Sequence, residues 1–359
     1  MPVLRQVALR FAVGSSVDDA PSGLSAVVRD GPWLWVAGDE SPRLDRLRVD
    51  PSDDDCYVDH QSFPLGDLVD LPEGRLKEVD VEGLDRSGGY LWLIGSHSRT
   101  RKQVKPGDSD DEAVDDLAQV RSHPNRQVLL RLPVADEPDG ARPVPASTTV
   151  DGEQLTAAFL GGGEGGLVDA LSSDEHLAPF LSLPGKDNGL DVEGIVVLED
   201  AILLGLRGPV LRGWAVVLEL RLRDAPGQPG RLLLRSGGSG YRKYFLDLDG
   251  LGVRDLCRLG DDVLLLAGPT MDLDGPMRLY RWNRAALGRD RSVVRGEQLS
   301  RLEDLPFGAR ENEGRDHAEG ITVLPGQGSP SVLVVYDSPT RARDGGDGVV
   351  LADVVGLPV

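Results

Sequence analysis

The chain has 359 residues, with 39 Lys and Arg against 59 Asp and Glu, a net charge of −20 and a pI near 4.6. That balance argues against long-range attraction to nucleic acid or to an anionic membrane surface. Two cysteines, Cys56 and Cys257, are too few for a disulfide framework or a thiolate metal cage. An apolar share of 40 % and a mean hydropathy of −0.21 suit a soluble globular protein.

In chain order, the opening MPVLRQVALRFAVG lacks a secretory apolar core, so a reducing cytoplasm is the expected setting. No run approaches the roughly 20 apolar residues of a membrane-spanning helix. Short strands follow: LWVAG (34–38), YLWLIG (90–95), AILLGL (201–206), AVVLELRL (215–222), DVLLLAG (262–268) and SVLVVYD (331–337). Most are bounded by Gly, Pro, Asp or Ser, as strands between tight turns are. The stretch 99–125 runs from basic RTRK to acidic DSDDEAVDD and is expected to be a solvated, flexible insertion. One helix is expected between Glu164 and Leu181, stopped by Pro184-Gly185.

A repeat organises these pieces. DVEGLDRSGGYLWLIGSHS (80–98), DVEGIVVLEDAILLGLRGP (191–209) and HAEGITVLPGQGSPSVLVVYDSP (317–339) share one plan: an acidic residue, a short strand, a tight turn, a more apolar strand and a polar loop. Weaker copies are RDLCRLGDDVLLLAGPT (254–270), read with Asp255 at the acidic position, and LSAVVRDGPWLWVAGDES (24–41), with Ser25 there. The spacing is roughly 60 residues, once about double, which fits the four-stranded blades of a β-propeller. The expected architecture is one all-β domain over residues 1–359 with six four-stranded blades. The sixth is a degenerate blade, carrying the short helix, in the doubled gap at 127–184. The last unit is one strand short, so the N-terminal VLRQVALRF (3–11) is expected to complete it and close the ring.

Ring closure gathers distant residues at one channel mouth. The strand openers are Glu82, Glu193, Asp255 and Glu319; the closing loops bring Asp39, Glu40, His97, Arg99, Arg207, Asp337 and Arg341, and the entering loops Lys186, Asp187, Asn188 and Lys243. Two roles fit the openers. They could hold a hard cation such as Ca²⁺ or Mg²⁺, with Arg207 and Arg341 steadying an anion. Alternatively, each carboxylate could accept backbone N–H groups of the neighbouring blade and lock the joint. His97 between Ser96 and Ser98 is not a triad fragment, because adjacent strand residues point apart. GGGEGG (161–166) lacks the GK[ST] of a phosphate loop and reads as a hinge, and Cys257 reads as a small core residue.

The segments LPGKDNGLDVEGIVVLEDAILLGLRGPVLRGWAVVLEL (183–220), YRKYFLDLDGLGVRDLCRL (241–259), HAEGITVLPG and VVYDSPTRAR resemble the bacterial family described as domain of unknown function 3616. The resemblance runs from about residue 20 to the C-terminus, and GLRGPVLRGWA is its most specific part. It implies a β-propeller, with Asx-x-Glu-Gly strand starts similar to those of phytase-like and esterase-like propellers, and brings no activity with it.

Two functions are therefore expected. The first is a non-enzymatic recognition propeller that binds a protein or small anionic ligand through Arg207, Arg341, His97, Arg99, Asp337 and Lys186. The second is a metal-assisted hydrolase of a phosphoester, ester or lactone, with the cation on Glu82, Glu193, Asp255 and Glu319.

Overall fold

The computed structural model describes residues 3–12, 23–39, 41–199, 201–235, 240–271, 273–284, 292–309, 315–325 and 330–358. The chain opens with β1 (Val3–Arg10). Blade one is β2 (Ala26–Asp30), β3 (Trp33–Ala37), β4 (Arg43–Asp50) and β5 (Asp53–Pro64). Blade two begins with β6 (Val81–Ser87) and β7 (Tyr90–Gly95). An insertion of β8 (Arg99–Arg101), α1 (Asp110–Ala118) and β9 (Val120–Ser122) precedes its third strand, β10 (Leu129–Glu137). β10 pairs with β11 (Gly140–Pro143) and, beyond the hairpin β12 (Ala146–Thr148) and β13 (Gln154–Thr156), with β14 (Ala158–Leu160). A short helix, α2 (Leu167–Leu171), follows.

Blade three is β15 (Asp191–Val197), β16 (Ile202–Gly208) and β17 (Trp214–Leu220), then past the hairpin β18 (Leu222–Asp224) and β19 (Leu232–Leu234), β20 (Tyr241–Asp247). Blade four is β21 (Gly252–Leu259), β22 (Asp262–Gly268) and β23 (Met277–Trp282), then past β24 (Val293–Val294), which adds to β20, β25 (Leu299–Leu305). Blade five follows β26 (Gly308–Ala309) with β27 (Arg315–Leu324), β28 (Ser331–Asp337) and, after β29 (Asp344–Gly346), β30 (Val349–Gly356). β1 completes it, pairing antiparallel with β30 from Arg5–Val354 to Arg10–Val349. It also pairs in parallel with β5 at Ala8–Cys56 and Leu9–Tyr57, so the expected closure by the N-terminal strand is present.

The innermost strands pack in sequence, β2 on β6, β6 on β15, β15 on β21, β21 on β27 and β27 back on β2. Five clusters of buried apolar side chains fill the joints, among them Trp35 with Leu93 between blades one and two and Leu9 with Leu34 between blades five and one. The ring therefore has five blades among the described residues, where six were expected. The segment 127–184 has no inner strand of its own: β10 and β14 belong to blade two, and the remainder is a hairpin, α2 and 3₁₀ turns. The expected helix over 164–181 is correspondingly short, with a 3₁₀ turn at Ala178–Phe180.

The acidic insertion is regular rather than loop. Ser109 and Glu112 form a capping box at the start of α1, Lys102 Nζ lies 2.5 Å from Asp116, and β8 pairs with β9. No described helix is long and apolar enough to cross a membrane.

Candidate functional site at the channel mouth

A bulge repeated in four of the five inner strands builds the hub. Ladder pairing skips Glu82 between Val81 and Gly83, Glu193 between Val192 and Gly194, Arg254 between Val253 and Asp255, and Glu319 between Ala318 and Gly320. Such a bulge takes one residue out of the ladder and re-aims its side chain. In blade one Ser25 precedes β2, and its Oγ donates to the Val81 carbonyl of blade two at 2.5 Å. Gly194 follows its bulge because a Cβ there would stand 2.8 Å from Leu256 N of the next blade.

This register corrects one expected opener. Asp255 lies one place past the bulge, and its carboxylate accepts Leu256 N and Ile321 N, both at 2.7 Å, joining blades four and five. Asp85 does the same for blades two and three, accepting Val197 N at 2.6 Å, and Thr322 Oγ1 accepts Arg29 N at 3.1 Å. Blade locking is thus the work of these residues, and the bulged glutamates Glu193 and Glu319 make ion pairs instead.

Arg254, which the sequence reading missed, stands between two of them. Its Nε is 3.0 Å from Glu193 Oε2 and its Nη2 pairs with Glu319. Arg207 reaches Glu193 Oε1 through Nη1 at 2.9 Å and pairs with Asp191 through Nη2. Arg126 Nη1 donates to Asp80 at 2.8 Å, and Asp80 also accepts from Ser96 Oγ. Among the described residues Glu82 has no ion pair; it lies in the field of Asp80, Glu193, Asp191 and Asp39. Pairing at the hub is incomplete, since Glu193 Oε2, Arg207 Nε and Arg254 Nε are buried without an aligned hydrogen bond.

Acids outnumber guanidinium groups here, but burial is the larger cause of the shifts in their pKa. Burial pushes Glu193 up to about 7 although Arg207 and Arg254 pull the other way. Burial likewise lifts Asp80 to about 7 against Arg126. Glu82, desolvated and surrounded by acids, is held well above the usual carboxylate range. Arg207, although burial opposes its charge, is held above the usual arginine range by Asp191 and Glu193.

Above the hub lies a cleft of 70 Å³ lined by Lys186, Arg207, Arg254, His317, Glu319 and Asp337, with Pro269, Met271, Leu273 and Met277 as its apolar wall. Lys186 is delivered by a 3₁₀ turn, Gly185–Asp187, where Gly185 is required because a Cβ would strike the Asp191 carboxylate. Positive φ angles at Asp80 (57°), His97 (56°), Asn188 (62°), Met271 (62°) and Ser338 (47°) crowd the loops around this mouth. Strained non-glycine backbone of this kind concentrates at functional sites.

Of the expected ligand residues, Lys186, Arg207 and Asp337 line the cleft. His97 does not: its Nδ1 meets the Gly95 carbonyl at 2.8 Å, and burial pushes its pKa down to about 4, leaving it neutral. Arg99 Nε donates to the Leu181 carbonyl at 2.9 Å, tying β8 to the segment before the mouth. Arg341 is exposed in a 3₁₀ turn, and its neighbour Arg343 is the buried one, bound to Asp316 and Asp353. Glu40 lies outside the described residues. The expected Ca²⁺ or Mg²⁺ ligand set of Glu82, Glu193, Asp255 and Glu319 does not assemble. Asp255 faces backbone and Arg254 sits between Glu193 and Glu319; among the described residues no group of His, Cys, Asp and Glu is placed to hold a metal ion. His317, missed beforehand, lines the cleft two residues ahead of Glu319.

Fold and hub together define a β-propeller, five-bladed over the described residues, with a charged channel mouth. The chain belongs to the family described as protein of unknown function (DUF3616), whose model matches residues 23–353. No curated protein matches the sequence. Among solved structures it is similar to arabinanase Arb43A of Bacillus subtilis, at 13 % identity, covering 96 % of each chain with a TM-score of 0.41. It is also similar to an exo-1,5-α-L-arabinanase from a bovine ruminal metagenomic library, at 8 % identity, 94 % and 91 % coverage and a TM-score of 0.39. A Bombyx mori GH32 β-fructofuranosidase, BmSUC1, follows at 13 % identity, 93 % and 59 % coverage and 0.36. Likeness at this level transfers neither residues nor activity to this chain.

Proposed function

We propose that this propeller is a recognition module that binds a small anionic ligand at its channel mouth. The carrying observation is that Lys186, Arg207, Arg254 and His317, from loops and strands of three blades, line one small cleft. The cleft holds an anion of a few atoms rather than a chain. Lys186 is exposed at the rim of the cleft, and its ammonium is open to a ligand oxygen. The net charge of −20 disfavours nucleic acid or an anionic membrane as the partner. Two free cysteines suit a cytoplasmic setting.

Thermal shift with phosphate, sulfate and short carboxylates tests this reading. A saturable rise in Tm that Lys186→Ala and His317→Ala each weaken about tenfold supports it. No shift with any of these anions, at constant ionic strength, overturns it.

A further inference from the structure

We infer that helix α1, in the insertion of blade two, docks a basic amphipathic segment of a partner protein. α1 packs with its polarity reversed. The one residue it buries is Asp116, 7 % exposed and paired with Lys102, whereas Val114 is 66 % exposed and Leu117 51 %. At about 100° per residue, Val114 and Leu117 stand about 60° apart on one face, and Asp116 lies nearly opposite Val114. A surface helix ordinarily turns its apolar stripe to the core. Here that stripe faces water. Val104 at 37 % and Val120 at 38 % are also open, so four of the large apolar side chains left exposed among the described residues fall in this one insertion.

The insertion holds these side chains in place. Ser109 and Glu112 cap α1, β8 pairs with β9 from Arg99–Ser122 to Arg101–Val120, and Arg101 donates to the Leu117 carbonyl. Arg101 also donates to Asp187 Oδ2, through Nε at 2.8 Å and Nη2 at 2.6 Å, anchoring the insertion to the propeller. An ordered apolar surface rimmed by charge marks an interaction site, and one already held rigid loses little entropy on binding.

Charge selects the occupant. Asp110 and Asp111 lie one turn before Val114 on the same face, Glu112 and Asp115 are exposed as well, and α1 contains no basic residue. A second copy of the chain would bring the same acids, and at −20 each the two copies repel; an anionic membrane is repelled likewise. A helix carrying Lys or Arg beside an apolar stripe matches both halves of the surface, with its apolar side chains on Val114 and Leu117 and its cations on Asp110 and Asp111.

Fluorescence anisotropy of the full-length protein with a labelled Leu/Lys amphipathic helical peptide is the test, beside a peptide of equal charge with Ser in place of each Leu. Saturable binding of the Leu/Lys peptide, at least about tenfold tighter than the Ser control, is expected. Val114→Ser combined with Leu117→Ser should weaken it about tenfold or more, and Asp110→Asn with Asp111→Asn should weaken it and reduce its salt dependence. All four side chains are exposed, so each variant should melt as the parent does. Lys186→Ala at the channel mouth should leave binding unchanged, so failure here and failure of the mouth reading are told apart. Absence of peptide binding, or binding indifferent to Val114→Ser and Leu117→Ser, overturns the inference. A concentration-dependent dimer, or uptake onto phosphatidylglycerol vesicles, that those two substitutions abolish would overturn it as well.

Discussion

Arg254 holds in blade four the bulge position that Glu193 holds in blade three, and its Nε lies 3.0 Å from Glu193 Oε2. A ring of four equivalent acidic openers would repel itself, and one arginine substituted into the series relieves two of them, Glu193 and Glu319. Removing that cation leaves two buried carboxylates without it. Arg254→Met should therefore destabilise the fold by about 3–5 kcal/mol, and adding Glu193→Gln and Glu319→Gln should recover much of the loss. Urea unfolding of the single and triple variants measures both.

Stability should fall as pH rises through neutrality. Glu193 and Asp80 titrate near 7 in the folded chain, above their usual 4.5 and 3.8, so the folded state holds protons that the unfolded state has released. Their contribution is fully present below the unfolded values and is lost as pH climbs through about 7. We expect unfolding free energy to drop by about 1–3 kcal/mol between about pH 5 and pH 8, and Glu193→Gln to flatten that slope. Denaturant titrations across this range provide the measurement.

Asp255 and Glu82, one a blade joint and the other a mouth acid, should respond oppositely to amide substitution. Asp255→Asn replaces an acceptor of two backbone N–H groups by a side chain that can accept only through its oxygen, at about 1–3 kcal/mol. Glu82→Gln removes an unpaired acid from a crowded field and should be neutral, or stabilising by about 1 kcal/mol at pH 8. Melting curves of the two variants in one buffer decide the matter.

Deleting residues 1–12 should unzip the ring. β1 buries Val7 and Leu9, with Phe11 just beyond it, and covers the edge of β30. Loss of three apolar side chains costs about 5 kcal/mol, and an uncovered strand invites association. Lower Tm together with larger species on size-exclusion chromatography is the expected pair of results.

Much of this was legible in the sequence, and the misses have physical causes. The Glu-Gly pairs at 82, 193 and 319 mark the inner strands because the glycine admits the neighbouring blade and the glutamate is bulged toward the hub. Counting strands in the last unit was enough to assign residues 3–11 to ring closure. The blade count failed because spacing alone was read across 127–184, a segment rich in insertion but lacking any Val-Glu-Gly start. Arg254 was missed by one residue: matching acid to acid chose Asp255, whereas matching Val253 to Val81 and Val192 places Arg254 in the series. That His97, Arg99 and Arg341 do not line the cleft was beyond reach, since loop path rather than repeat position decides where those side chains end.

Diffraction from crystals soaked in selenate tests the central claim most directly, because the anion can be located by its anomalous signal. The account predicts a peak in the mouth cleft within hydrogen-bonding distance of Arg254 and Lys186, lost in Lys186→Ala. Selenate found elsewhere, with solvent alone between those two side chains, would contradict it.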